Sequence, residues 1–180
     1  LLNSCQHSFF QKHSSHTWIV ISGWAIDGTY AFKPSTSSNT LFISYYNPYT
    51  LHQLIPELLA TYRINSFSIL GFSLGGLWLS NTPEISSQAN HCIYVSVRKH
   101  YPKRDISFMK RKLTSNAHNC LNSFYQLCCS TPSQIRSLQT YHTPLNCSNS
   151  ILQHGLTYLR DIPFNMTHII VLFSKLIIFC

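Results

Sequence analysis

The chain has 180 residues, the length of one domain, and this is enough to bury a hydrophobic core. Its 44% hydrophobic and 13% aromatic residues exclude a disordered class. Charged residues make up only 10% of the chain. The net charge is +8, and seven of the basic residues lie between positions 98 and 112 with one acid, Asp105, among them. Such a cluster suits an acidic partner, and a solvated basic face is the alternative.

Both ends of the chain and its cysteines bear on where the protein acts. Residues 1–16 lack the apolar segment of a secretory signal, and we expect them to be poorly structured. The apolar residues 169–180 are too few for a membrane span and include Lys175. Seven cysteines without a Cys-x-x-Cys pair indicate free thiols in a reducing compartment, so we expect a cytoplasmic protein.

Four short apolar runs in the first 100 residues predict buried strands, at 18–21, 40–45, 66–70 and 92–97. Between them, apolar residues at helical spacing predict a helix over 51–62, and another helix is expected from Leu77 onwards. Strands that are apolar on both faces and alternate with helices indicate a parallel sheet that is covered on both sides.

The pattern changes after the fourth predicted strand. Helical spacing predicts a helix over 106–129, a Pro-, Ser- and Asn-rich stretch follows over 130–150, and a further helix is expected near 151–159. A strand pattern resumes at 167–173. We therefore predict one α/β domain over 17–180 with a helical insertion, the lid, at about 104–160.

Residues 71–76, Gly-Phe-Ser-Leu-Gly-Gly, stand between the third predicted strand and the helix behind it. This is the Gly-x-Ser-x-Gly pattern of a nucleophile elbow, a turn so tight that side chains at the glycine positions would clash. Ser73 is therefore the candidate nucleophile, and a glycine-rich turn without chemistry is the alternative. In an elbow hydrolase, the loop after the first strand and the residue after the nucleophile supply the oxyanion-hole amides. These are Trp24 and Leu74, although Trp24 could equally be a core aromatic residue.

Four features occur in the order found in one known family: Gly-Trp at 23–24, the elbow at 71–76, Phe-Tyr-Gln-Leu at 124–127 and Leu-Gln-His-Gly-Leu-Thr-Tyr-Leu at 152–159. With them the chain resembles the α/β-hydrolase superfamily over about residues 17–173. Within that superfamily, it is similar to the pimeloyl-[acyl-carrier protein] methyl ester esterases of biotin synthesis. The resemblance implies a mostly parallel sheet with a helical lid, and carboxylic ester hydrolysis through an acyl-serine intermediate.

The resemblance also implies roles for individual residues. Ser73 would attack the ester carbonyl, and the basic residues Lys110, Arg111 and Lys112 would meet the acidic acyl-carrier protein. The acyl channel would be lined by Phe72, Phe124, Tyr125, Leu127 and Cys128. The expected partner is acyl-carrier protein or a small acyl ester, with no nucleic acid or membrane, and the protein is expected to be a monomer. No cofactor is implied, and no metal site is predicted, because no His-x-x-x-His or His-Glu-x-x-His pair stands on a helix.

The sequence departs from this family in the residues that should activate the serine. Ser22-Gly23 stands where the family has His-Gly, and no acid follows the strand at 167–173. No further strand or histidine follows either, so we expect a C-terminally truncated domain without its last strand. Whether it is a fragment, a frameshift or a pseudogene product stays open. Such a chain would be nearly inactive, and its strand at 167–173 would present an aggregation-prone edge.

Substitutes for the missing acid and base are few. Asp105 lies beyond the fourth strand, where some elbow hydrolases place their acid, and it is the one stand-in among the five acids. None of the histidines after the elbow is expected over Ser73, and His168 begins a strand at the opposite end of the sheet. The rival function is therefore a non-catalytic protein that binds acyl-carrier protein or an acyl group. A nucleic-acid role rests on the basic cluster alone, because no recognised binding motif accompanies it.

Overall fold

The structure is a computed structural model that describes residues 5–129, 131–141, 148–165 and 171–172. Its strands are β1 (Gln6–Phe10), β2 (Thr17–Ile21), β3 (Asn39–Ser44), β4 (Phe67–Phe72), β5 (Cys92–Val95) and β6 (Val171–Leu172). Its helices are α1 (Gly28–Ala31), α2 (Leu51–Thr61), α3 (Leu74–Ser80), α4 (Pro83–Ser86), α5 (Lys103–Ser115), α6 (Ala117–Cys128), α7 (Pro132–Tyr141) and α8 (Asn149–Asp161).

The strands form one sheet in the order β1-β3-β2-β4-β5-β6, with every neighbouring pair parallel except β1 and β3. Ile19 of β2 lies between Leu41 of β3 and Ile69 of β4, and all three side chains are fully buried. Val20 and Ile21 are buried as well, although successive strand residues point to opposite faces. The sheet is therefore covered on both faces, as the continuous apolar runs predict.

The helix predicted over 51–62 is confirmed as α2, which buries one stripe of Leu51, Leu54, Ile55 and Leu58. These positions recur every three or four residues, so that one face packs on the sheet and the other meets solvent. The strand predictions at 18–21, 40–45, 66–70 and 92–97 agree with β2 to β5 within one to two residues at each end.

The prediction that residues 1–16 are poorly structured is wrong for Gln6–Phe10, which form the edge strand β1. This strand pairs antiparallel with β3, with Gln6 opposite Ser44 and Phe10 opposite Thr40. Most of its side chains are only partly buried, so polar residues are tolerated and no apolar run marks the strand.

The single helix predicted over 106–129 is two helices, α5 and α6. Asn116 ends the first and begins the second: its backbone is extended, and its side chain accepts a hydrogen bond from the Asn119 amide. A capping asparagine satisfies an amide that a new helix leaves free, which favours a break at this point. The Pro-, Ser- and Asn-rich stretch also contains a helix, α7, that its composition did not suggest.

The helices α5 to α8 occupy the stretch predicted as the lid, and α8 confirms the helix expected near 151–159. Of the strand expected at 167–173, the described residues include only β6, which pairs parallel with β5. No helix in the described ranges is long and apolar enough to cross a membrane. Two residues named in the sequence analysis, His168 and Lys175, lie outside the described residues.

Candidate active site

Ser73 is the residue between strand β4 and helix α3, and its backbone is strained. Its φ of 51° and ψ of −107° are values that a residue with a side chain rarely adopts. The Ser73 amide donates to the Val95 carbonyl over 2.9 Å, and its own carbonyl accepts from Leu77 in α3. The turn is therefore held on both sides while the serine side chain stays partly exposed. This is the geometry that the elbow pattern predicts.

The glycines around Ser73 are required by close packing. A β-carbon at Gly71 would lie 2.6 Å from the Gly76 α-carbon, because strand and helix approach each other there. A β-carbon at Gly75 would overlap the Ile21 carbonyl oxygen, and one at Gly76 would overlap a Val97 methyl group. The three glycines thus let α3 fold directly back against the sheet.

Positive φ angles recur along the carboxyl edge of the sheet. Tyr45, Ser73 and Ser96 directly follow β3, β4 and β5, and Ala25 lies in the loop after β2. Their φ values are between 49° and 55°, and Arg63, the other non-glycine case in the described part of the chain, follows helix α2. Strained backbone of this kind persists only where surrounding contacts enforce it, and it clusters at functional sites. The carboxyl edge is also where open α/β sheets bind their ligands.

The loop after β2 packs directly against the elbow. A β-carbon at Gly23 would lie 3.0 Å from the Phe72 ring and 3.4 Å from the Ser73 β-carbon. Trp24 and Leu74 are only 4% and 3% exposed. Among the described residues, neither of their amide N–H groups has a hydrogen-bond acceptor. Buried amides without a partner are rare in proteins, so this pair fits the predicted oxyanion hole.

Trp24 and Leu74 line the same small cavity, which helix α8 borders on one side. Its volume is about 10 Å³, roughly the space of one water molecule, and Ser73 itself does not line it. The α8 residues that border it include Leu152 and Gly155. A β-carbon at Gly155 would lie 2.7 Å from the Trp24 indole, so the helix rests directly on this loop.

Buried hydrogen bonds tie the Ser22–Ala25 loop to the body of the protein and to the lid. Tyr46 donates to the Ser22 carbonyl over 2.9 Å, and Tyr125 of α6 donates to the Ala25 carbonyl over 3.1 Å. The Trp24 indole donates to the Leu152 carbonyl of α8 over 2.8 Å. Trp24 is therefore a core aromatic residue whose backbone also stands at the candidate oxyanion hole.

We expect Tyr125→Phe to lower the free energy of unfolding by about 1 kcal/mol, because it leaves the buried Ala25 carbonyl without this donor. Urea denaturation followed by circular dichroism measures the change. Tyr49→Phe is the matched control, since the Tyr49 side chain is 42% exposed and no hydrogen bond of its hydroxyl is present among the described residues. Equal stabilities of the two variants would contradict this role for Tyr125.

The residues predicted to line the acyl channel divide into two groups. Phe72 and Cys128 pack with Ile26 in one apolar cluster beside the elbow, and Phe124 packs against both this cluster and Trp24. Burial raises the pKa of the Cys128 thiol to about 12, so it is protonated and apolar in character at neutral pH. Tyr125 belongs instead to the main core, where its hydroxyl donates to the Ala25 carbonyl. Leu127 is 85% exposed and lies outside the buried stripe of α6.

The three basic residues predicted to contact a carrier protein also differ from one another. Lys110 turns inward and donates to the Thr157 hydroxyl of α8 over 2.6 Å. Lys112 lies over the Phe108 ring, 4.8 Å from its centre, in a cation–π contact. Of the three, only Arg111 shares an open surface of α5 with Arg104, Asp105 and Phe108.

No acid or histidine among the described residues contacts Ser73. Asp105, the candidate substitute acid, is exposed in the first turn of α5, on the same open surface as Arg111. The Ser73 hydroxyl instead lies 3.4 Å from the hydroxyl of Tyr101, in the segment between β5 and α5. The sequence analysis does not identify Tyr101, although Tyr101 follows β5, the same strand that Asp105 follows. Nor do three His, Cys, Asp or Glu side chains in the described ranges come together as metal ligands.

Neither a protein-family model nor a curated protein matches the sequence. Solved structures match the fold. An esterase from Exiguobacterium antarcticum has a TM-score of 0.69 at 14% identity, covering 89% of this chain and 71% of that chain. A bromoperoxidase from Bacillus anthracis (TM-score 0.70, 11% identity) and an enol-lactonase from Burkholderia xenovorans LB400 (0.68, 12%) have the same coverage. Likeness at such low identity shows the fold alone, and it confirms the predicted α/β-hydrolase fold.

Proposed function

We propose that the protein is a carboxylic ester hydrolase that acts through an acyl intermediate on Ser73. The observation that carries the proposal is the strained serine at the carboxyl edge of the sheet, beside two buried amides without acceptors. An acyl-transfer site requires a serine held in this way and two hydrogen-bond donors that are free to bind the oxyanion. Fold neighbours that are named as an esterase and an enol-lactonase support the reaction class by analogy only.

In the proposed reaction, the Ser73 oxygen bonds to the ester carbonyl carbon and the carbonyl oxygen becomes an oxyanion. The amides of Trp24 and Leu74 donate to this oxyanion. The serine proton passes through solvent to the leaving alkoxide, which departs as an alcohol when the carbon–oxygen bond breaks. Water then attacks the acyl-serine and releases the carboxylic acid, so that Ser73 recovers its proton. Because no described histidine takes the proton, we expect slow turnover.

The finer proposal is the pimeloyl-[acyl-carrier protein] methyl ester as substrate, and so a place in biotin synthesis in the cytoplasm. Two observations support it. An apolar cluster containing Phe72, Phe124 and Cys128 lies beside the elbow, where an acyl chain would extend from the ester carbon. The lid carries a basic outer face with Arg104 and Arg111, which suits an acidic carrier. The monomeric state is part of the same proposal.

Hydrolysis of simple esters tests the proposed reaction. We expect saturable release of p-nitrophenol from p-nitrophenyl esters of short and medium chains, with the highest rates for acyl chains that fill the apolar cluster. A monomethyl ester of a dicarboxylic acid, free and on acyl-carrier protein, then tests the finer substrate. Rates equal to those of buffer for every ester would contradict the proposed function.

The second candidate is a non-catalytic protein that binds acyl-carrier protein or an acyl group. The specific observation in its favour is that the described residues place only Tyr101, and no acid or histidine, against the serine hydroxyl. Under this alternative the apolar cluster and the basic lid keep their roles, while Ser73 has none. Binding without any ester hydrolysis would favour it.

Charge reversal on the outer face of α5 tests the carrier-protein contact. We expect Arg104→Glu/Arg111→Glu to weaken binding of acyl-carrier protein at least about tenfold at low salt, because both arginines lie on the open surface of α5. Fluorescence anisotropy of a labelled carrier measures the affinity. Lys110 is left intact because it bonds to Thr157 of α8. Lys12→Glu/Lys33→Glu makes the same change of charge elsewhere, and an equal loss in that variant would contradict a specific contact.

A further inference from the structure

Tyr101 brings the one side-chain hydroxyl that contacts Ser73 among the described residues. It lies six residues beyond the end of β5, in the segment that begins with the strained Ser96 and leads into α5. Its hydroxyl is 3.4 Å from the Ser73 Oγ. Neither the elbow pattern nor the roles assigned above use this contact.

The protonation state of Tyr101 decides what its hydroxyl can do. Burial raises the pKa of Tyr101 above its ordinary value, and this outweighs the opposing effects of the hydrogen bond with Ser73 and of Arg98. The phenol therefore keeps its proton at neutral pH and is a poor general base. A neutral phenol can still donate a hydrogen bond.

The length of the contact is informative as well. Hydroxyl-to-hydroxyl hydrogen bonds are usually about 2.7–2.8 Å long, so the contact with Ser73 at 3.4 Å is loose. A hydrogen-bond donor contributes most to catalysis when its hydrogen bond becomes stronger as negative charge develops on the acceptor atom. In the adduct with Ser73 the oxyanion forms two bonds away from Oγ, within reach of a hydroxyl already close to that atom.

We propose that Tyr101 is a catalytic residue whose hydroxyl donates a hydrogen bond to the oxyanion formed on Ser73, as a third donor beside the amides of Trp24 and Leu74. The inference rests on the proposed ester hydrolysis and adds a side chain to its machinery. The Tyr101 hydroxyl also forms a hydrogen bond with the Arg98 backbone. A purely structural role would therefore affect every ligand alike, whereas an oxyanion donor affects only ligands that form an oxyanion.

A pair of ketones provides the test. An alkyl trifluoromethyl ketone adds reversibly to a serine and forms an oxyanion, whereas the methyl ketone of the same chain remains a carbonyl. We expect Tyr101→Phe to weaken binding of the trifluoromethyl ketone about 100-fold and to leave binding of the methyl ketone unchanged. With an ester substrate, kcat should fall while KM stays the same. Tyr94→Phe is the control, since Tyr94 is also buried but no hydrogen bond joins it to Ser73.

The outcomes distinguish this inference from the proposed function. A wild-type protein that forms no adduct with the trifluoromethyl ketone would overturn both. Adduct formation with equal affinity in wild type and Tyr101→Phe would overturn the role of Tyr101 alone, as would equal weakening for both ketones. If Tyr101→Phe fails to fold, 3-fluorotyrosine placed at position 101 keeps the shape and strengthens the donor. Tighter binding of the trifluoromethyl ketone is then expected, and unchanged binding would overturn the inference.

Discussion

Replacing Ser73 with alanine is expected to abolish the acylation of the protein by activated esters. Wild-type protein mixed with a p-nitrophenyl ester should release a rapid burst of p-nitrophenol in proportion to the protein present, followed by slow turnover. The variant should show no burst, because the attacking oxygen is gone while the fold around it is kept. We expect the acylation rate to fall at least about 100-fold, equivalent to roughly 2.7 kcal/mol in activation free energy.

Ser80→Ala is the control for this variant. Ser80 is the last residue of α3, the helix that follows Ser73, and its hydroxyl donates to the Leu77 carbonyl over 2.8 Å. Its burst should match that of the wild type. A full burst in Ser73→Ala would mean that another nucleophile is acylated, and the assignment of Ser73 would be wrong.

Gly75→Ala is expected to lower the free energy of unfolding by about 3 kcal/mol or more. The new methyl group would overlap the Ile21 carbonyl oxygen, which belongs to the central strand β2 and cannot move without breaking the sheet. Helix α3 would have to shift away from the sheet and take the elbow with it. Urea denaturation, with the yield of folded protein as a second readout, measures the loss.

Gly28→Ala provides a graded comparison for that variant. Its β-carbon would lie 3.0 Å from an atom of the Phe42 ring, a side chain that can give way by a few tenths of an ångström. We expect a loss of about 1 kcal/mol there. Equal losses of unfolding free energy at the two glycines would show that the close contact of α3 with β2 does not depend on Gly75.

The central sheet and the elbow are predictable from the sequence because their signals are local. Buried strands such as β2 need continuous apolar runs, and the tight turn at Ser73 needs glycines at fixed positions. The edge strand β1 is not predicted because its side chains are only partly buried or exposed, so the strand needs no apolar run. The break at Asn116 depends on a cap that competes with a continuous apolar pattern through α5 and α6.

The sequence predicts the residues of the site only where a sequence motif contains them. The segment 124–128 predicts Leu127 in the acyl channel, but its position around the helix axis excludes it. Leu121, Tyr125 and Cys128 share the buried face of α6, whereas Leu127 lies outside that stripe. Tyr101 reaches Ser73 through the path of an irregular loop, and no local spacing predicts such a path.

The proposed ester hydrolysis requires Ser73 to be a reactive nucleophile. Treatment with an alkyl fluorophosphonate, followed by peptide mass spectrometry, tests this directly. The predicted result is one phosphonyl group, covalently bound to Ser73, with labelling that a medium-chain ester slows by competition. An unlabelled protein, or a label distributed over other residues, would contradict the claim that this fold holds an active serine.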